Sequence, residues 1–251
     1  FFQAEDVIRD FCLSRGLGDV YERQYMYTTF IFDLDGTLLN TLPDLAAAVN
    51  HALTRHALPA LPLDSVRRLL GNGVRRLMGG AIDEAVAAAG IEKPDDEVCE
   101  EIFQTFRAFY LDHSADRTAP YAGIPAVVEE LRRRGLRVAI VSNKLQPAVT
   151  DLNLRYFGNL IPVAIGEAPG VRRKPAPDSV LRALELLGSS KDEAVYIGDS
   201  EVDYATALAA GLPYLIVTWG FRTKEELAAT GAQCFIDRPE QILNFAANAL
   251  P

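Results

Sequence analysis

The sequence predicts an α/β fold: a Rossmann-like parallel sheet with helices on both faces, carrying one inserted all-helical domain. Three observations predict it. Short runs rich in β-branched and aromatic residues recur along the chain, amphipathic helical periods alternate with them, and one long block between the first run and the second is helical throughout.

In chain order, residues 1–25 stand apart, with no clean period and no apolar block behind a basic start. They resemble a translated sequencing-adapter peptide and are expected to be a non-native leader, Met26 being the natural start. Residues 28–32 then form the first strand, ending at Asp33. From 42 to 119 apolar spacing marks helices at 45–58, 66–78, 82–89 and 98–111, which defines the inserted domain. Residues 26–41 and 120–251 make the sheet-bearing core. Its further strands fall at 137–141, 163–165, 195–197 and 214–217, and its helices at 124–134, 147–156, 177–187 and 202–210. Gly188 and Gly211 close the last two helices, in the position glycine favours at a helix C-terminus.

Composition narrows the function classes. The chain has 251 residues, 49% of them apolar, enough for a full core without metal or disulfide staples. A net charge of -9 argues against a nucleic-acid partner, which needs a basic face. No apolar stretch reaches the length of a membrane span. Cys12, Cys99 and Cys234 match no metal or redox spacing and read as reduced thiols, which with the missing export signal points to the cytoplasm.

In an open parallel sheet, ligands bind outside the carboxyl ends of the strands. Asp33, Asp35, Gly36 and Thr37 follow the first strand, Ser142, Asn143 and Lys144 the second, and Asp199 and Asp203 the fourth, while Lys174 precedes a helix. Each group has a plain structural reading as a turn, a helix cap or a solvated charge. Their recurrence at one edge outweighs those readings taken singly. Three carboxylates, Asp33, Asp35 and Asp199, would repel unless a cation sat among them, and an all-oxygen set selects a hard ion such as Mg²⁺. Ser142, Asn143 and Lys174 offer donors and charge to a tetrahedral anion. Metal, anion site and free carboxylate together describe phosphoryl transfer through an aspartyl-phosphate.

The segments FIFDLDGTLLNT, IVSNK, RKPAPD and GDSEVD resemble, in order, the four motifs of the haloacid dehalogenase superfamily of Mg²⁺-dependent phosphatases. The resemblance covers Met26 to the C-terminus. It implies Asp33 as nucleophile, Asp35 as general acid and base, and Thr37, Ser142, Asn143 and Lys174 at the phosphate. It further implies Asp33, Asp199 and the Asp35 carbonyl at the metal, Asp203 supporting the metal or orienting Lys174, and the insertion as a cap. The superfamily's dehalogenases lack an acid at the Asp35 position, so halide release is not expected.

Substrate choice is expected to lie in the cap, where Asn72, Gly73, Arg75 and Arg76 follow a GxG turn before a helix. Such a turn offers backbone amides to an anion, or is simply a turn between helices. This loop, residues 121–123 and residues 218–222 resemble the phosphoglycolate phosphatase branch, although pyrophosphatases and sugar-phosphate phosphatases share much of the pattern. A small phosphorylated metabolite is the expected partner. A phosphomutase and a silent phosphate-binding module are the alternatives, the latter disfavoured by the intact acids. His51, His56 and His113 read as packing or surface residues, and Trp219 as either packing or part of the crevice.

Overall fold

The computed structural model describes residues 26–247; the leader expectation therefore lies outside the described residues. The first strand β1 (Thr29–Phe32) is buried on both faces, and apolar but for Thr29, because both are covered. Phe30 and Phe32 enter one buried cluster with Val128, Leu131 and Leu152, and Ile31 the opposite one with Val180, Ala183 and Ala207. That two-residue alternation with no polar face is the mark of a central parallel strand.

The chain then passes β2 (Leu39–Asn40), α1 (Leu42–Arg55), α2 (Leu63–Leu69), α3 (Val74–Ala89), α4 (Asp96–His113) and β3 (Ala119–Pro120). It continues through α5 (Ile124–Arg133), β4 (Arg137–Leu145), α6 (Gln146–Phe157), β5 (Val163–Glu167) and α7 (Asp178–Leu187). The last elements are β6 (Ala194–Gly198), α8 (Glu201–Ala210), β7 (Tyr214–Val217), α9 (Lys224–Ala229) and β8 (Phe235–Ile236). The main sheet has six strands in the order β5-β4-β1-β6-β7-β8, all parallel. The chain winds outward from β1 in one direction and then, starting at β6, in the other. A crevice therefore opens between β1 and β6 at their carboxyl ends.

Helices α1 to α4 surround a buried cluster of their own, including Val49, Leu53, Leu77, Met78 and Phe106. Both chain crossings to this block meet in a two-stranded antiparallel ribbon, Leu39 opposite Pro120 and Asn40 opposite Ala119. The buried Asp44 carboxylate accepts the Arg117 and Thr118 amides at 2.7–3.0 Å, tying the start of α1 to the chain leaving α4.

Three expectations need correction. The stretch 66–78 is not one helix, because it breaks between α2 and α3, where Gly71 and Gly73 take φ of +106° and +83°. Ser142, Asn143 and Lys144 do not follow the second strand but lie on it; β4 runs to Leu145, with a register shift between Val141 and Leu145. Cys99 is a free thiol, whereas Cys234 is disulfide-bonded. Cysteine usage therefore gives no support for a reducing compartment.

Candidate active site

Asp33 leaves β1 at the crevice, its amide still bonded to the Ile197 carbonyl of β6 at 2.8 Å. Asp199 leaves β6 beside it. The two approach closely because the chain turns at Gly36, with φ +87°; a Cβ there would lie 2.2 Å from Asp199 Oδ2. Gly220 leaves the same space on the other flank, where a Cβ would lie 2.3 Å from the Asp199 Cβ. Glycine at both positions is a steric requirement of the site.

Lys174 is the hub. Its buried ammonium donates to Asp33 Oδ1 at 2.7 Å, to Asp203 Oδ1 at 2.7 Å and to the Tyr196 hydroxyl at 3.1 Å. Tyr196 also donates to Asp203 Oδ1 at 2.9 Å, and the Ser200 hydroxyl donates to Asp203 Oδ2 at 2.5 Å. Asp203 thus caps the start of α8 and fixes Lys174, with both oxygens occupied. Asp199 Oδ2 accepts the Phe221 amide at 2.7 Å, and Thr37 Oγ1 donates to Asp199 Oδ1 at 3.4 Å.

The electrostatics follow from this crowding. Burial pushes the Asp33 carboxyl up to about 7 against the pull of Lys174, with Asp203 and Asp35 adding to the rise. Burial likewise drives Asp199 well above the carboxylate range, reinforced by Asp203 and Asp33. For Asp203 burial works in the same direction, but Lys174 and the bonds from Ser200 and Tyr196 outweigh it and hold the carboxyl below its usual value. Carboxylate oxygens of Asp33, Asp199 and Asp203 lie within 4.8 Å of one another, all buried. One ammonium leaves negative charge uncompensated, and an all-oxygen donor set under that strain fits a hard divalent cation.

The Asp35 side chain does not join this cluster. Its Oδ1 accepts Thr41 Oγ1 at 2.6 Å and the Lys144 ammonium at 2.8 Å, so any part in metal binding falls to its carbonyl. Lys144 lies over the Tyr110 ring at 4.7 Å. Burial pulls its ammonium down, but Asp35 and Tyr110 more than offset this and raise it above the ordinary lysine value. Ser142 lines the cleft, its Oγ accepting the Lys144 amide at 3.3 Å. Asn143 spends its side chain on position: it accepts the Lys174 amide at 2.9 Å and donates to the Lys174 carbonyl at 3.1 Å and the Gly71 carbonyl at 3.2 Å.

The cleft lies between these groups and Leu45, Leu77 and Phe221. Reciprocal bonds hold the helical block over it, Arg222 donating to the Arg67 and Leu70 carbonyls and Arg67 to the Phe221 carbonyl, at 2.7–3.1 Å. Of the four loop residues expected at the substrate, Gly73 lines the cleft. Arg75 turns away, bonded to Glu100 at 2.5 Å and stacked 4.1 Å from the Phe103 ring centre. Arg76 is exposed and reaches Asn72 Oδ1 at 3.5 Å. Trp219 packs on the sheet cluster and donates to the Thr37 carbonyl at 3.1 Å. His51 and His113 stack on either side of Phe109, with ring centres 4.1 and 4.2 Å away, and His56 bonds Thr105 at 2.9 Å.

Lys144, Thr41 and Tyr196 were not among the expected site residues. Lys144 carried a signal, since two residues from Ser142 on a strand is the same face.

A doubly wound sheet whose switch point gathers buried aspartates around one lysine, under a narrow helical roof, defines a phosphatase of the aspartate-based class. The model of the family described as haloacid dehalogenase-like hydrolase matches residues 30–217. A phosphoglycolate phosphatase of Caulobacter vibrioides is 35% identical over 217 residues, covering 84% of this chain and 89% of its own. One from Cereibacter sphaeroides is 37% identical over 194 residues, covering 76% and 85%. Among solved structures, a predicted phosphoglycolate phosphatase from Haemophilus somnus superposes with a TM-score of 0.81 at 27% identity, covering 86% of this chain and 96% of its own. The chain belongs to the haloacid dehalogenase-like hydrolase family, on its phosphoglycolate phosphatase-like branch, and is a phosphatase.

Proposed function

We propose that this phosphatase hydrolyses a small phosphorylated acid, of which 2-phosphoglycolate is the type, by transferring the phosphoryl group to Asp33 with Mg²⁺ as cofactor. The observation that carries the reading is the placement of Asp33 between Lys174 and Asp199 at the floor of a narrow cleft roofed by the helical block. Asp33 attacks phosphorus in line and the ester oxygen leaves. Lys174, held by Asp203 and Tyr196, neutralises a nonbridging oxygen. Asp35 gives the leaving alkoxide its proton, then takes one from the water that hydrolyses the aspartyl-phosphate. Asp33, Asp199 and the Asp35 carbonyl would hold Mg²⁺, which when bound supplies Lewis-acid stabilisation of the phosphoryl oxygens and keeps Asp33 ionised. Residues 42–119 act as a cap that excludes bulk water, over a core of residues 26–41 and 120–251.

The substrate carboxylate is assigned to the N-terminus of α3 rather than to Arg75 or Arg76. No side chain caps that sixteen-residue helix, and Gly73 brings its first amides to the cleft. Among the described residues no helix is long and apolar enough to cross a membrane. A metabolite substrate favours the cytoplasm. The test is phosphate release with Mg²⁺ present across 2-phosphoglycolate, p-nitrophenyl phosphate, pyrophosphate, sugar phosphates and nucleotides. The phosphorylated acid is expected to give the highest kcat/KM; a nucleotide giving it would end the small-acid reading.

Metal binding should also depend on pH. Without metal the Asp33 carboxyl titrates near 7 and Asp199 lies well above its usual range, so below neutrality protons occupy the oxygens a cation needs. Raising the pH from about 6 to 8 is expected to tighten Mg²⁺ binding, by about tenfold per unit while one proton is displaced. Calorimetric titration of the metal-free protein measures it, and a pH-independent affinity would contradict the charge accounting.

A further inference from the structure

Beside the catalytic cleft lies a second, open cavity between the helical block and the sheet. Three guanidiniums line it, Arg75 and Arg107 from α3 and α4 and Arg173 from the segment before α7, against one carboxylate, Glu167 at the end of β5. In a chain of net charge -9 this is a local reversal of sign. Two of the arginines are already engaged, Arg75 with Glu100 and Arg173 with Glu167 Oε1. Arg107 is exposed and has no hydrogen-bond or ion-pair partner among the described residues. The cavity thus presents a free cation flanked by two more.

From this juxtaposition we infer that the cavity is a second ligand site, distinct from the catalytic one, for a small phosphate-bearing metabolite. The phosphate sits against Arg107 with Arg75 and Arg173 flanking it. Guanidinium forks suit phosphate oxygens. The site touches the catalytic cleft at two points: Val74 lines both cavities, and Arg173 precedes Lys174. A Cβ on Gly73 would lie 3.2 Å from Arg173 Nη1, so this guanidinium also runs beneath the turn that roofs the cleft. A ligand there would bridge the helical block to the core next to that turn.

The test uses metal-free protein, whose catalytic cleft holds four carboxylates against two lysines and does not attract an anion. Ribose 5-phosphate and inorganic phosphate are titrated separately by calorimetry at about pH 8. Ribose 5-phosphate is expected to bind one site and to lose about tenfold in affinity in Arg107→Ala, with most of it kept in Arg107→Lys. Inorganic phosphate is expected to bind the same site and to lose affinity likewise in Arg107→Ala. Hydrolysis of the phosphorylated acid with Mg²⁺ by Arg107→Ala is expected to match the unaltered protein, which confirms that the variant is folded. The binding readout does not depend on which ester the enzyme cleaves, so its failure is separable from failure of the proposed function. No binding of either compound to the metal-free protein, or equal affinities in Arg107→Ala, would overturn the site.

Discussion

Asp33→Asn is expected to lower kcat for phosphate release by more than the factor of about 10²–10³ that follows removal of an electrostatic donor alone. The amide keeps the shape of the side chain but has no lone pair able to form the acyl-phosphate. Lys174 retains Asp203 and Tyr196, so the surrounding network survives the change. Stability separates lost chemistry from lost fold. Burial holds the Asp33 carboxyl at about 7, above its unfolded value, so its ionisation costs stability progressively between those two values and the full cost is present above about 7. At about pH 8 without metal, the variant's melting temperature should therefore equal or exceed that of the unaltered chain. Steady turnover above about 1% of the original would be far more than such a variant can supply, and would remove Asp33 from the nucleophile role.

The sequence was most readable where one physical rule acted alone. β1 is buried at every position and apolar from Phe30 to Phe32, so residues 28–32 read as a strand of a sheet covered on both faces. α7 and α8 end where Gly188 and Gly211 allow the left-handed turn. Legibility failed where tertiary contacts overrode local pattern. Ser142 and Lys144 looked like a loop because they are polar, yet they stay in the sheet and face a site that supplies partners for polar groups. β2 and β3 hold two residues each, too short for any period, although they are where the helical block joins the core. Arg75 and Arg76 could be placed at the head of a helix but not by direction, since the turn at Gly73 sets the phase of α3 and sends Arg75 toward Glu100. The link between Lys174 and Asp203 joins residues 29 apart, so the position of Asp203 beneath the lysine came from family likeness rather than from spacing.

Lys174→Ala should damage stability as well as catalysis, because the lysine holds two buried carboxylates, Asp33 and Asp203. Removing one member of a buried ionic group costs about 3–5 kcal/mol, much of it the penalty for the charges left behind. Chemical denaturation of the metal-free variant at neutral pH should show a loss of that order. The penalty should shrink as pH falls, since protonation relieves the stranded carboxylates, and this sign is opposite to ordinary acid destabilisation. A double variant, Lys174→Met with Asp203→Asn, is expected to recover much of the stability while recovering none of the activity. It removes the deepest stranded charge but supplies no cation for the transferring phosphoryl group. If Lys174→Ala unfolds no more easily than the unaltered protein, the lysine is not the keystone of the acidic cluster. If the double variant regains turnover, Lys174 is structural only and the phosphate must be neutralised by other groups.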